Sequence, residues 1–201
     1  MLRRVLPLTA LAALLAFAPV SFSAESAGPL VRVRVEGKTH TIFGATQPRA
    51  RAQTALDALE VASNAGEFYY HVQDLGFGPY VDQIGRNPAG GSSGWVFKVN
   101  GASPPVGADK VELKAGAVVL WYWATFTDMG GPSTLLLLSP RRNCYEVYAQ
   151  NDVGESIPVT AVIRYDGRDV RTKALTRACI GPHRGLVRAT AVGTVRSNAL
   201  P

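Results

Sequence analysis

The sequence predicts two β-rich units in series: α+β, with a sheet around one helix, then all-β, a small sandwich. Three observations carry this reading. The 201 residues include 20 Gly and 13 Pro, and punctuation that dense breaks long helices and favours short strands joined by turns. Apolar residues recur mostly with period two and in one convincing segment with the period of a helix. Charge is divided unevenly, since residues 24–132 carry nine Lys and Arg against ten Asp and Glu, whereas residues 133–201 carry ten against five. Such a contrast marks units with different surfaces. An apolar content of 47%, with 18% charged residues, supplies a core and excludes intrinsic disorder. Two Cys and three His cannot build a metal-stapled or disulfide-dense miniprotein.

The first element is an address. Arg3 and Arg4 precede an uncharged apolar run over residues 5–20, and Ser21-Phe22-Ser23-Ala24 offers small residues for cleavage, the order of a secretory signal peptide over residues 1–24. The run is short of the roughly 20 residues that span a bilayer. No later stretch is longer, so the expected product is exported, secreted or periplasmic, with no membrane span.

In the first unit, residues 28–126, Val31-Arg32-Val33-Arg34-Val35-Glu36 alternates strictly, the mark of a strand with one buried and one polar face. Gly37-Lys38 turns the chain, and residues 39–43 return to complete a hairpin. Residues 47–50 read as a polar loop. The spacing of Ala52, Leu56, Leu59 and Ala62 predicts a helix over 51–65 with Gly66 as its C-terminal cap. Strands are predicted over 67–74, 80–84, 95–99 and 118–125, with a loop at 87–94 and a turn at Asn100-Gly101.

Residues 127–133 read as a linker. The second unit, residues 134–201, shows short strands at 135–139, 146–149, 157–165, 169–174 and 185–191, with an Asp166-Gly167 hairpin turn, which together look like a small immunoglobulin-like β-sandwich. Cys144 and Cys179 both fall here, and in an exported chain such a pair is most simply a disulfide. The arginines of this unit are spread singly and read as a solvated strand face; a surface for extracellular polyanions is the alternative.

Catalytic signatures are missing: no nucleophile elbow, zinc-protease motif, phosphate loop or dinucleotide fingerprint occurs. His40, His71 and His183 are isolated, and a Cys179–His183 nucleophile would need the thiolate that a disulfide removes. No metal site, nucleic-acid partner or catalysis is expected. Aromatic residues are more telling. Period two puts Trp121 and Trp123 on one face of their strand and Leu120 and Tyr122 on the other. With one helix to cover the sheet, an aromatic face is left as a contact surface, unless the second unit covers it.

Tyr80-Val81-Asp82-Gln83-Ile84-Gly85, then Ser93-Gly94-Trp95-Val96-Phe97-Lys98-Val99-Asn100-Gly101, then Gly107-Ala108-Asp109, then Gly116-Ala117-Val118-Val119-Leu120-Trp121-Tyr122-Trp123 resembles, in motif order, the transcobalamin-like C-terminal domain of exported bacterial proteins. The resemblance covers residues 30–126 and implies a β-grasp-like fold, a sheet wrapped around one helix. It also implies a cofactor, cobalamin, for which such domains supply one wall in the vitamin carriers. Two departures stand against that inheritance: Ala117 replaces the acidic residue of the family turn, and the carriers' large helical domain has no counterpart in these 201 residues. The second unit resembles no family.

The expected function is non-catalytic binding of a small ligand, glycan or cell-envelope protein on the aromatic face. Trp95, Trp121 and Trp123 would pack on the ligand while Tyr69, Tyr70 and Asn100 supply polar contacts. The alternative is a structural, adhesion or assembly component of a cell-envelope complex; corrinoid binding comes third.

Overall fold

The computed structural model describes residues 28–76, 78–128, 130–173, 175 and 177–201. The expected leader over residues 1–24 lies outside these. Strands β1 (Leu30–Glu36) and β2 (Thr41–Phe43) form the expected hairpin. β3 (Arg49–Arg51) pairs antiparallel with the first half of β1, so residues 49–50 are strand where the sequence reads as loop. Half of that β1 edge would otherwise lack main-chain partners, which buried backbone does not tolerate.

Helix α1 (Ala55–Gly66) starts after the predicted Arg51, because Thr54 caps it. The Thr54 hydroxyl accepts from Asp57 N at 3.1 Å and the Asp57 carboxylate accepts from Thr54 N at 2.9 Å, a reciprocal box that fixes the first turn. At the other end Glu67, at φ 50°, takes the left-handed position expected of Gly66. Gly66 is needed for space instead: a Cβ there would sit 2.7 Å from Phe43 Cδ2.

β4 (Tyr70–Asp74), β5 (Pro79–Ile84) and β6 (Asn87–Pro88) form a small antiparallel sheet. β7 (Ser93–Val99) and β8 (Val118–Thr125) complete the main sheet, whose order is β2-β1-β8-β7 with β1 and β8 parallel. Register places Val33, Val35, Val119 and Trp121 on one face. They are buried with Ala55, Ala58, Leu59 and Ala62 of α1 in one core, where each buried Val or Leu contributes about 1.5–3 kcal/mol.

The second unit has two sheets. β9 (Thr134–Arg141), β10 (Cys144–Gln150) and β11 (Ser156–Pro158) lie in one, β12 (Val162–Tyr165) and β13 (Arg168–Arg171) in the other. β14 (Ala178–Cys179) joins β10, and β15 (Arg188–Thr190) joins β12. Leu135, Leu137, Tyr145 and Val147 of the first sheet share a core with Ile163, Tyr165 and Ala189 of the second. The single strand predicted over 157–165 is thus two strands in different sheets, broken after Pro158. β14 has no apolar alternation to announce it; it is placed by pairing with β10 and by the Cys144–Cys179 bond. Asp166 and Gly167, at φ 44° and 72°, make the expected hairpin turn, which needs two positive φ angles.

The opposite face of the main sheet carries Arg32, Arg34 and Glu36 of β1 in register with Val118, Leu120 and Tyr122 of β8. It is covered by the second unit. Glu36 is fully buried. Its carboxylate meets Arg196 Nη2 at 3.0 Å, Arg34 Nη1 at 3.4 Å and the Arg188 guanidinium, and accepts the Thr41 hydroxyl at 3.1 Å. Arg196 also donates to Gly37 O at 2.7 Å, and Arg34 to Arg196 O at 2.9 Å. Burial pulls the Arg34 guanidinium down to about 10, with Glu36 opposing the shift. Farther along the face, Lys98 Nζ donates to the carbonyls of Gln150 and Asn151 at 3.0 and 2.8 Å, and Leu120, Tyr122 and Ala124 pack with Val195.

Two stability predictions follow from these contacts. Glu36→Gln leaves three guanidiniums without their buried counter-charge and lowers unfolding free energy by about 3–5 kcal/mol, read as a fall in the urea midpoint. Opening the Cys144–Cys179 bond, which spans a sequence separation of 35, costs about 3–4 kcal/mol in the chain-entropy account, measured by comparing urea titrations with and without dithiothreitol.

Candidate functional site

The six residues singled out for ligand contact are dispersed. Trp95 and Trp121 are each 2% exposed. Their indole N–H groups donate inward, to Asn87 O at 2.8 Å and to Ala55 O at 3.1 Å. Trp123 is half-buried, edge-on to Trp95 with centroids 5.5 Å apart, and the Lys38 ammonium lies 4.1 Å from its ring. Tyr70 packs against the α1 core, and burial, helped by Glu60 and Asp57, raises its phenol above the ordinary range. Tyr69 is 59% exposed and stands apart from the tryptophans. Asn100 sits at φ 53° with its side chain accepting Val118 N at 2.9 Å, so it shapes the turn between β7 and the following loop.

A groove of about 420 Å³ runs beside β7, walled by Tyr80, Trp95, Phe97, Tyr122 and Phe126 and closed by the 103–108 loop. Several local devices build it. A Cβ on Gly94 would come 2.7 Å from Tyr80 Oη, so the Gly-Trp step lets β5 approach β7. Phe97 stacks on Trp121 at 5.0 Å, which fixes the floor. The loop wall is tied to the helix, since Ala108 O and Val111 O accept the N–H groups of Leu56 and Ala55 at 3.1 and 3.2 Å, donors that a helix N-terminus leaves unpaired. Burial, with Asp152 adding to it, pushes the Tyr122 phenol far up, so it remains a neutral hydroxyl.

The groove also holds an unpaired strand edge. Asn100 N bonds Val118 O and Phe126 N bonds Ser92 O, which fixes the parity of the ladder: Gly94, Val96 and Lys98 bond β8. Antiparallel pairing alternates, so the N–H and C=O of Trp95 and Phe97 point away from β8. Val99 spends its outward groups on Ala102, and Ser93 on Gly90. Among the described residues, the Trp95 and Phe97 main chain has no partner on that side.

Trp95 and Trp121 thus line the groove, and Tyr69, Tyr70, Asn100 and Trp123 do not. Tyr80, Phe97, Tyr122 and Phe126 do, though sequence reasoning assigned none of them a contact role. For Phe97 the signal was available, because it lies two residues from Trp95 on the same strand. Elsewhere, His71 Nδ1 lies 2.7 Å from Asp82 Oδ1 on the β4–β5 surface, His183 Nε2 lies 2.8 Å from Tyr145 Oη, and Cys179 is bonded to Cys144. A corrinoid would need a broad apolar wall. The indoles of Trp95 and Trp121 are instead enclosed and hydrogen-bonded inward, so the residues present fit that cofactor poorly.

Residues 52–125 match the family model described as a domain of unknown function, DUF4430, the transcobalamin-like family. The match takes in α1 through β8, and with them nearly all of the groove, while β1–β3 and the second unit lie outside it. No curated protein matches the chain. No helix among the described residues is long and apolar enough to cross a membrane.

These burials give a direct optical test. Trp123→Phe removes most of the acrylamide-quenchable tryptophan emission, and Trp121→Phe leaves the quenchable fraction in place; equal quenching of both variants would contradict the arrangement.

Proposed function

We propose that the protein is an exported, non-catalytic binding module, a β-grasp-like domain backed by an immunoglobulin-like sandwich, whose groove along β7 takes an extended polypeptide segment. The observation that carries this is the coincidence of an aromatic groove with the unpaired N–H and C=O of Trp95 and Phe97. Main-chain groups two residues apart are what strand addition uses for affinity, and pockets beside the edge select alternate side chains. A recessed edge favours a single strand over the edge of a second folded sheet, whose bulk the walls would block. A role in assembling a cell-envelope complex is the form this takes if the strand belongs to another envelope protein.

The exported chain is panned against displayed linear peptides, and selected peptides are titrated by calorimetry beside a glycan array and cyanocobalamin. Peptides with apolar residues at alternate positions are expected to bind. Phe126→Ala weakens them about tenfold, the loss of one interface anchor. Phe97→Pro, which removes a groove-facing N–H and leaves the bonds to β8 in place, abolishes binding. Unchanged peptide affinity in both variants, with circular dichroism preserved, refutes the groove; saturable binding of glycan or cobalamin with no peptide selected refutes the ligand class.

A further inference from the structure

A second cavity, of about 560 Å³, lies between the polar face of the main sheet and the second unit, on the other side of the sheet from the helix. Two buried side-chain polar atoms among the described residues have no hydrogen-bond partner, Arg34 Nε and Thr134 Oγ1. Both residues line this one cavity. Arg34 is 3% exposed and Thr134 1%, and leaving such groups unmatched costs on the order of 1–3 kcal/mol each. Native folds leave few such atoms, and each calls for a physical reason, a bound water or ion among them.

The charge of the walls identifies what that is. Arg32, Arg34 and Lys98 line the cavity and no carboxylate does. Lys98 is already satisfied by two carbonyls and Asp152. Arg32 has no ion pair among the described residues, and Glu36 faces three guanidiniums, so its cluster keeps an excess of two positive charges. The remaining lining mixes neutral polar side chains, Gln47, Asn100, Gln150 and Asn198 among them, with a leucine run over 135–138 whose last member, Leu138, is 42% exposed.

We propose that this cavity binds a small amphiphilic oxyanion, its carboxylate or phosphate head on Arg32, Arg34 and Thr134 and its aliphatic body along Leu136 and Leu138. Arg34 keeps its charge despite the burial that opposes it, and an anion there adds to Glu36 in favouring the charged guanidinium. This site is separate from the β7 groove and independent of any peptide binding.

The test titrates the exported chain with octanoate, octyl phosphate, inorganic phosphate and octanol by calorimetry, with thermal melts alongside. Octanoate and octyl phosphate are expected to bind saturably and raise the melting temperature. Arg32→Gln and Thr134→Val each weaken them about tenfold, the scale of one hydrogen bond to a charged group. Both variants keep the fold, Arg32 being exposed and Val nearly isosteric with Thr. Inorganic phosphate binding as tightly, and weakened by the same substitutions, supports the oxyanion head and assigns a free anion as its source. Octanol binding as tightly as octanoate overturns the proposal. So does no binding by any anion at about millimolar concentration, with Thr134→Val simply more stable than the parent, for the cavity is then a packing defect.

Discussion

The fold turns on a buried carboxylate. Glu36 sits at the end of the central strand, on the face that a two-layer sheet-and-helix unit would give to water. It is held by Arg34 from its own strand and by Arg188 and Arg196 from the second unit. Stripping water from these charges costs several kcal/mol per ion, which only close, multiple contacts offset. Arg196 adds the Gly37 carbonyl and Arg188 the Ser197 carbonyl, so side-chain charge and main-chain dipoles share the compensation. An arrangement with so few solutions orients the second unit on the sheet more sharply than the small apolar contact of Leu120, Tyr122 and Ala124 with Val195 could.

That orientation has consequences on both faces. With one face on α1 and the other on the second unit, the three-layer packing leaves the β7 edge as the part of the main sheet still presenting unpaired main chain beside an aromatic wall. Exposed edges are usually blunted by charge, proline or a covering loop. Here the 103–108 loop is anchored to the helix N-terminus and stands beside the edge without pairing to it. The imperfect closure of the second unit on Arg32 and Arg34 leaves a cavity behind, lined by these cations, by leucines and by neutral polar side chains, with Arg34 Nε and Thr134 Oγ1 unpartnered among the described residues.

Local signals were legible where the neighbouring residues alone decide the outcome. The alternation of β1, the span of β8, the Asn100-Gly101 and Asp166-Gly167 turns and the cysteine pairing all appear in the structure as read. Helix limits moved because Thr54 and Asp57 cap one another, a side-chain bargain that outweighs the apolar spacing of Ala52. β3, β14 and the split of 157–165 were not legible, because each is set by a partner strand distant in sequence. Trp95 and Trp121 read equally well as contact residues and as core; α1 and the inward acceptors Ala55 O and Asn87 O decide between these.

The sequence by itself determined which faces exist: period two sorted Trp121 and Trp123 from Leu120 and Tyr122, and Arg32, Arg34 and Glu36 from the β1 valines. Only the tertiary structure decided what each face meets. Residue spacing fixes the direction of a side chain relative to its neighbours, whereas burial depends on which distant surface docks on it. Thus the polar stripe of β1, which alone suggests solvent, became an ionic interior, and the aromatic face, which alone suggests a ligand, became largely a core with an open edge beside it.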